Sequence, residues 1–441
     1  MASAYLTRTP SSNGNRKTFT LSGWFKKSNV GSFQRIISSR IDGTNYNGIA
    51  FSSDKIQFSE YQGGDTINLV TSRLFRDASA WYHIVVAVDT TQGTASNRVK
   101  FYINGVQETS FSTSTYPSQN LDTVFNSSSS THRIGTNDDA SGGYFDGYMT
   151  HVNFVDGTAL TPTSFGQSDS NGVWIPKPSP SVTYGTNGFF LKMDNSGNMG
   201  LDSSGNSNNF TTSGTITQAK DTPSNVFATL NGAFNLSDNV LSNGNNKAVN
   251  ANANWKYVPA TLGASSGKFY AEYKVNKGSG YLMVGVVDME YAVSQDQNSY
   301  THSGAGTGSA SIYSDNGYKY LQSSDSIYAA PYTDNDIIGV ALDMDNGKVY
   351  FSKNGAWSTG SGSWGSSTFD SAVGAITLPT TGTYTFAVSQ RSGAYNETNF
   401  GNGYFGTTAV TSAGTNASGN GIFEYDVPTG YTALSTKGLN S

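Results

Sequence analysis

Two stretches of the sequence alternate apolar and polar positions with the period of a β-strand and contain turn dipeptides. Residues 336–357, DIIGVALDMDNGKVYFSKNGAW, alternate on both sides of an Asp-Asn-Gly turn and end in Asn354-Gly355. Residues 81–106, WYHIVVAVDTTQGTASNRVKFYINGV, follow the same pattern and turn at Asn104-Gly105. Asn and Gly accept the positive φ of tight hairpin turns. Each stretch therefore predicts an antiparallel hairpin with one buried face.

Short alternating segments bounded by Asn, Gly and Ser surround both hairpins, and no stretch shows a sustained helical period. Strands at this spacing predict an all-β chain made of sandwiches. The chain of 441 residues is long enough for two such domains. Apolar periodicity fades near Asp221-Thr222-Pro223. We therefore predict domains at 1–220 and 221–441, with the segment at 221–254 wrapping onto the second domain.

Composition narrows the classes of function. Only 13% of the residues are charged, the net charge is −5, and no basic cluster is present, so we expect no nucleic-acid partner. The absence of cysteine excludes disulfides, thiolate zinc sites and cysteine nucleophiles. Residues 1–20 contain no apolar signal-peptide core, and no apolar run is long enough to span a membrane. We expect synthesis in a cytoplasm, without membrane insertion.

The order of the motifs resembles two known families. In the first half, WYHIVVAVD, RVKFYINGV, IG and YFDGYMTHVNFVDGTALTPTSFG resemble the laminin-G-like and pentraxin-like group of concanavalin A-like jelly rolls, over residues 4–215. In the second half, GKFYAEYKV, VGVVD, IGVALDMDNGKVYFSKNG, YTFAVS and NFGNGYF resemble the SPRY domain, another concanavalin A-like sandwich, over residues 255–434. The resemblance implies two tandem concanavalin A-like antiparallel β-sandwiches.

This combination of modules, without cysteine and with a surface rich in Gly, Asn and Ser, resembles virion surface proteins of tailed phages. The resemblance implies a non-enzymatic structural or adhesive protein located in the virion: a tail fibre, a head fibre or a capsid decoration. It also implies other virion proteins as partners, a host surface glycan or protein as the candidate ligand, and a homo-oligomer. Two alternatives stay open, a glycan-active hydrolase of the concanavalin A-like group and a purely structural capsid cement.

Carboxylate spacing argues against the hydrolase. Concanavalin A-like glucanases place paired carboxylates on one strand, usually as Glu-x-Asp-x-x-Glu. Asp288 and Glu290 are expected to share a strand face, but no third carboxylate precedes them at that spacing. Asp343 and Asp345 adjoin a turn, where Asp caps backbone N–H groups. We therefore predict no catalytic residue and no enzymatic activity.

Histidines do not suggest catalysis or a metal site either. The four histidines are His83, His132, His151 and His302. No two of them are close in sequence, and no serine occupies a nucleophile elbow. The sequence therefore predicts neither nucleophilic catalysis nor a histidine-based metal centre.

The resemblance makes calcium the metal to consider, because laminin-G-like sandwiches often bind calcium on their loops. The acidic residues on such loops are Asp138, Asp139, Asp194 and Asp202. No loop has EF-hand spacing, since the sixth position from Asp194 is Met199 and the twelfth is Gly205. We favour turn capping for these side chains and predict no metal and no cofactor.

Aromatic side chains in the second domain are the candidate ligand-binding residues. They are Tyr313, Tyr318, Tyr320 and Trp364. Their segments, 311–332 and 358–367, are predicted loops, and rings on the loops of a rigid sandwich can stack on sugars or bind proteins. The competing interpretation is that the rings cover the sandwich ends, which we expect for Trp357. We predict that recognition uses these loops and not a strand face.

Overall fold

The computed structural model describes residues 3–234, 239–290, 308–321, 324–379 and 381–441. The chain forms two compact units, Met1–Gln218 and Ala219–Ser441, and the boundary predicted from the sequence lies at residues 220 and 221. Each unit is a sandwich of two large sheets. The strand pairing in these sheets is antiparallel except where Thr432–Ala433 joins Lys268–Asn276 in parallel. The all-β prediction is therefore confirmed.

The first unit consists of two sheets and a small hairpin. The larger sheet has the order β10-β6-β5-β4-β3-β11-β1-β16, the smaller one has the order β15-β12-β2-β7-β8-β9, and β13 pairs with β14. Short 3-10 helices occupy Ala95–Asn97 and Pro162–Ser164. The strands are β1 Tyr5–Arg8, β2 Thr18–Lys27, β3 Gln34–Asp42, β4 Asn45–Ser52, β5 Lys55–Gln62, β6 Asp65–Thr71, β7 Tyr82–Asp89, β8 Val99–Ile103, β9 Val106–Glu108, β10 Phe111–Thr115, β11 Thr131–Ile134, β12 Gly147–Asp156, β13 Gly166–Ser168, β14 Trp174–Pro176, β15 Phe189–Leu191 and β16 Thr211–Ser213.

The first predicted hairpin is present in this unit. β7 pairs with β8 so that Ile84 lies opposite Ile103, and the alternating apolar residues of both strands point into the core between the sheets. After β8, Asn104 and Gly105 form the tight turn into β9, with the φ values of 49° and 84° that two left-handed residues require. The sequence pattern therefore predicted the strands, their buried faces and the turn.

The second unit repeats this architecture. One sheet has the order β17-β18-β30-β20-β25-β26-β27, with β28 added to β26 and β33 added to β20, and the other has the order β19-β29-β21-β22-β23-β24. β31 and β32 form a separate pair, and helix α1 spans Thr436–Leu439. The strands are β17 Asn239–Ser242, β18 Lys247–Asn250, β19 Lys256–Pro259, β20 Lys268–Asn276, β21 Tyr281–Asp288, β22 Ser309–Tyr313, β23 Lys319–Leu321, β24 Ser324–Ser326, β25 Ile337–Asp343, β26 Lys348–Lys353, β27 Ala356–Trp357, β28 Ile376–Thr377, β29 Tyr384–Arg391, β30 Tyr395–Asn399, β31 Tyr404–Phe405, β32 Thr408–Ala409 and β33 Thr432–Ala433.

The second predicted hairpin lies in the nine-stranded sheet, between β20 and β27. β25 pairs with β26 so that Val340 lies opposite Phe351, and both side chains are fully buried in the core between the sheets. Asn354 and Gly355 again combine two positive φ values, 50° and 82°. This hairpin prediction is confirmed as well.

The C-terminal segment covers the opposite face of that sheet. Phe423, Val427 and Tyr431 pack in a second cluster with Tyr270 and Trp357. Trp357 is only 8% exposed, so its predicted packing role is confirmed. Within the described residues, no helix is long and apolar enough to cross a membrane.

Candidate functional site

Two of the predicted loop tyrosines lie on strands, so the loop assignment for residues 311–332 is wrong. Tyr313 ends β22 and Tyr320 lies in β23, while Tyr318 is in the turn between them. The strand β22 reads Ser-Ala-Ser-Ile-Tyr and contributes only Ala310 and Ile312 to the core. Two apolar positions among serines are too weak a pattern to predict a strand. The pairing with β21 is what makes this segment extended.

Tyr313 and Tyr320 belong to a cluster of rings on the outward face of the six-stranded sheet. Ile312 points into the core, so Tyr313 points away from it. The ring of Tyr313 meets Tyr320 edge-on, with centroids 5.9 Å apart, and lies 6.0 Å from Tyr281 and 5.8 Å from Trp255. Arg391 pairs with Tyr281 in the strand register and places its guanidinium carbon 4.4 Å from that ring. We call these five side chains the ring cluster.

The side chains of the ring cluster are half-buried, and they present aromatic rings together with tyrosine hydroxyl groups to a ligand. Burial, and then the nearby Asp315, raises the pKa of Tyr313 to about 12. Burial, and then Asp325, also raises the pKa of Tyr320. Both hydroxyls therefore remain protonated near neutral pH and can donate as well as accept hydrogen bonds. Arg391 adds a cation, and its buried Nε has no hydrogen-bond partner in the residues that the structure describes.

Tyr318 and Trp364 lie outside the ring cluster. Tyr318 is half-buried, and its backbone carbonyl accepts a 3.0 Å hydrogen bond from Tyr313 N, which places it beside the cluster. Trp364 packs against the core of the second unit, and its indole Nε1 donates to the Ala330 carbonyl at 3.0 Å. The Nζ of Lys353 lies 5.9 Å from its ring. The ligand roles of Tyr313, Tyr318, Tyr320 and Trp364 stay a prediction.

Three members of the ring cluster were missed by the reading of the sequence: Trp255, Tyr281 and Arg391. The signal for Tyr281 was available, because the alternation of β21 points Leu282 inward and Tyr281 outward. The approach of Arg391 depends on the pairing of β21 with β29, which lie about a hundred residues apart in the chain. No local pattern reveals that pairing.

The acidic residues considered for hydrolysis are engaged in turns. Asp288 ends β21 and accepts the Glu290 N–H at 3.0 Å, whereas Glu290 lies past the strand and is exposed, so their predicted common strand face is wrong. Asp343 caps the Asn346 N–H at 3.0 Å and also pairs with Lys268. Asp345 accepts a backbone hydrogen bond from Gly267 N at 2.6 Å. The expected turn-capping role of Asp343 is confirmed, whereas Asp345 accepts its hydrogen bond from a residue outside the turn.

His83 and Ser22 form a buried pair in the first unit. The tautomer of the His83 imidazole opposes nucleophilic catalysis by this pair. His83 Nε2 lies 2.9 Å from Ser22 Oγ, and Trp174 Nε1 lies 3.0 Å from His83 Nδ1. An indole N–H can only donate, so Nδ1 accepts and Nε2 carries the proton toward Ser22. Trp24 stacks on the imidazole at 4.6 Å. His83 therefore donates to this serine and does not abstract its proton.

The other described histidines are also kept neutral by burial. His132 accepts the Asn126 N–H at 3.1 Å and stacks on Phe125. Burial lowers the pKa of His83 and His132 to about 3 and that of His151 to about 4. His302 lies outside the described residues.

Two of the loop aspartates cap turns. Asp139 Oδ1 accepts from the Ser141 N–H at 3.0 Å, and Asp202 Oδ1 accepts from Phe190 N at 2.8 Å and Ser204 N at 2.9 Å. Among the described residues, no group of three or more His, Asp or Glu side chains gathers to hold a metal ion. Turn capping accounts for the positions of Asp139 and Asp202.

The two units match two family models. Residues 2–165 match the model described as the concanavalin A-like lectin/glucanases superfamily, and residues 268–387 match the SPRY domain. A comparison with curated proteins finds no match.

Solved structures with some likeness to the chain include two human SPRY domains. The SPRY domain of human HERC1 is 17% identical, with 36% of this chain and 91% of that chain covered and a TM-score of 0.28. A second human SPRY domain is 16% identical, with 37% and 94% covered and a TM-score of 0.27. At these values the likeness carries no information about function. The two family matches show that the chain contains a concanavalin A-like domain followed by a SPRY domain.

Proposed function

We propose that this protein is a non-enzymatic binding protein of a phage virion, as a tail fibre, a head fibre or a capsid decoration. Its ligand is a host surface glycan or protein, and the ring cluster of the SPRY domain, with the adjoining Tyr318, is the binding site. The domain types support this role, because concanavalin A-like and SPRY domains are typically binding or adhesive modules. The observation that carries the proposal is the gathering of tyrosine and tryptophan rings with Arg391 on one sheet face.

The chemistry of the ring cluster suits a glycan or a polar protein surface. Aromatic faces stack on the apolar faces of sugars, and protonated tyrosine hydroxyls bond the sugar oxygens. The rings are carried by paired strands, so little conformational entropy is lost when a ligand binds. A paired-strand platform therefore replaces the short loops that the sequence predicted.

Assembly into the virion is part of the same proposal. Only 13% of the residues are charged, which leaves little charge repulsion between close-packed copies. Both sandwiches have edge strands that offer unpaired backbone groups. We infer a homo-oligomer that contacts other virion proteins, formed in the host cytoplasm. Mass spectrometry of purified phage particles should detect the chain in several copies, and its absence from the particles would refute the virion role.

Binding is tested with fluorescent protein on an array of bacterial surface polysaccharides and on host cells. Tyr318→Ala should weaken binding by about fivefold or more, as loss of a stacking contact worth about 1 kcal/mol requires, while the melting temperature hardly changes. Trp364→Ala tests the fourth predicted residue, and because Trp364 packs against the core, the melting temperature of this variant should fall. The matched control is Tyr395→Ala, a half-buried tyrosine on β30. Equal binding by the parent, Tyr318→Ala and Trp364→Ala would show that these rings only pack.

A further inference from the structure

The first unit contains a buried cation, Arg35, that has no carboxylate within ion-pair distance among the described residues. Arg35 pairs with Ala50 across β3 and β4, and the neighbours Ile49 and Phe51 point into the core. Arg35 and Ala50 therefore face outward from the eight-stranded sheet. Arg35 is nevertheless only 7% exposed, and its Nε and Nη1 are buried and have no hydrogen-bond partner among the described residues. Nη2 is not one of these buried, unpartnered atoms.

A glycine of β4 and the ring of Phe33 lie against the guanidinium group of Arg35. Gly48 lies beneath it, and a Cβ atom at that position would be 2.9 Å from both Cδ and Nη1 of Arg35. The ring of Phe33, which is 42% exposed, lies 5.0 Å from the guanidinium carbon. The side chain of Arg35 is thus held flat against the sheet, with one apolar ring beside it.

An unpaired acceptor lies on the loop beside this cation. The loop at 137–143 is joined to β3 by a 2.8 Å hydrogen bond from Arg35 N to the Gly143 carbonyl. Asn137 Oδ1 on this loop is buried and has no hydrogen-bond donor within the described part of the chain. A Cβ atom at Gly143 would collide with Asn137 Oδ1 and lie 3.1 Å from the ring of Phe33. The orphaned acceptor and the aromatic ring therefore adjoin each other next to Arg35.

The nearby carboxylates are engaged elsewhere. Asp138 Oδ2 lies 3.1 Å and Asp139 Oδ2 lies 3.7 Å from Arg40 Nη1. Burial lowers the pKa of Arg35, opposed more weakly by the charge of Asp138 and by Tyr46. A buried cation is costly unless an anion or hydrogen bonds compensate it.

Another buried cation of the same unit shows what structural pairing looks like here. Lys27 is fully buried, and its Nζ lies 2.5 Å from Asp54 Oδ1. Asp54 also accepts from Arg76 Nε at 3.0 Å. This chain therefore supplies a carboxylate where a buried cation serves the fold alone, and it supplies none to Arg35 within ion-pair distance among the described residues.

We propose that Arg35, Asn137 and Phe33 form a second ligand site, on the concanavalin A-like domain, for a saccharide that carries a carboxylate. The carboxylate meets Nη2 and neutralises the delocalised guanidinium charge. The C–H face of the sugar packs on Phe33, and a sugar hydroxyl faces the loop that carries Asn137. A sugar acid provides these features together. The site is independent of the ring cluster and of the virion role.

Calorimetric titration of the full chain tests the site with two acidic probes, trigalacturonate and sialyllactose, and their neutral counterparts, galactotriose and lactose. The parent should bind an acidic probe and not its neutral counterpart. Arg35→Gln should weaken that binding about tenfold or more, whereas Lys55→Gln, which removes an equal charge from β5 of the same sheet, should not. Binding of neither acidic probe, or undiminished binding by Arg35→Gln, overturns the proposal.

Two further measurements protect this test. If Arg35→Gln melts well below the parent, the Nε–H resonance of Arg35 is followed by NMR in the parent, assigned through its loss in Arg35→Lys. The acidic probe should shift that resonance, and an unchanged resonance overturns the site. Equal affinity for a hexaglutamate peptide would overturn the saccharide assignment. Retained acidic-probe binding by Tyr318→Ala separates this site from the one in the SPRY domain.

Discussion

At the scale of single residues, hydrogen-bond partners decide what the buried titratable groups can do. Ser22 and His83 lie as close as a nucleophile and its base, yet Trp174 donates to the opposite imidazole nitrogen. A catalytic histidine needs an acceptor at that nitrogen, so that its other nitrogen is free to accept the serine proton. Because the indole N–H of Trp174 donates to His83, the Ser22–His83 pair has a structural role and not a catalytic one.

Trp174→Phe should reveal this role. The substitution keeps an aromatic ring but leaves His83 Nδ1 without its donor, and an unsatisfied buried acceptor costs about 1–3 kcal/mol. We expect a corresponding loss in the free energy of unfolding of the first unit, measured by denaturant titration. In the parent, imidazole ¹⁵N shifts should show the Nε2–H tautomer of His83. An Nδ1–H tautomer would contradict the donor assignment.

At the scale of elements, local patterns predicted the hairpins and failed where pairing is remote. The β7–β8 and β25–β26 hairpins are built from alternating apolar residues, and each is followed directly by an Asn-Gly turn, at Asn104-Gly105 and Asn354-Gly355. These signals lie within a few residues of one another. β22 has too few apolar residues for its pattern to predict a strand, so Tyr313 was predicted to lie in a loop. The lack of a carboxylate within ion-pair distance of Arg35 could not be predicted from the sequence. It arises because Asp138 and Asp139, on a loop about a hundred residues further along the chain, pair with Arg40.

The C-terminal segment is fastened to β20 by one buried carboxylate. Glu272 accepts backbone hydrogen bonds from Glu424 N and Tyr425 N, both at 2.8 Å, and a weaker one from Tyr270 Oη at 3.2 Å. Burial nevertheless dominates and raises the pKa of Glu272 to about 7, above the usual 4.5. Protonation of one side chain is therefore coupled to the packing of a whole segment.

Glu272→Gln should flatten the pH dependence of the second unit's stability. Because the folded pKa is raised, the stabilisation by Glu272 is fully present below pH 4.5 and is lost as the pH rises through about 7. The parent should thus be less stable at pH 8 than at pH 5, and the variant should show little of this difference in denaturant titrations. Glu397→Gln, which alters a half-buried carboxylate paired with Lys247, should keep the parental slope. An unchanged slope in Glu272→Gln would assign the effect to other groups.

At the scale of the whole molecule, the two units carry buried groups that titrate in opposite senses. In the first unit, His83, His132 and His151 have lowered pKa values, so their contribution is complete above pH 6.5 and is lost as the pH falls. At pH 5 the loss is about 2 kcal/mol for a fully buried histidine. Glu60, whose pKa burial raises, opposes this trend, but one carboxylate stands against three histidines. The first unit should therefore weaken on acidification.

The second unit should strengthen over the same range, and calorimetry can separate the two responses. Between pH 7.5 and pH 5 the protonation of Glu272 adds about 2 kcal/mol, which corresponds to a rise of about 4–8 °C in a unit of this size. Scanning calorimetry of His302→Gln, which removes the histidine that lies outside the described residues, should show two transitions that approach or cross as the pH changes. Trp174→Phe identifies the first transition and Glu272→Gln the second, since each variant alters only its own unit. Both transitions moving in the same direction would mean that groups other than these buried ones govern the pH dependence.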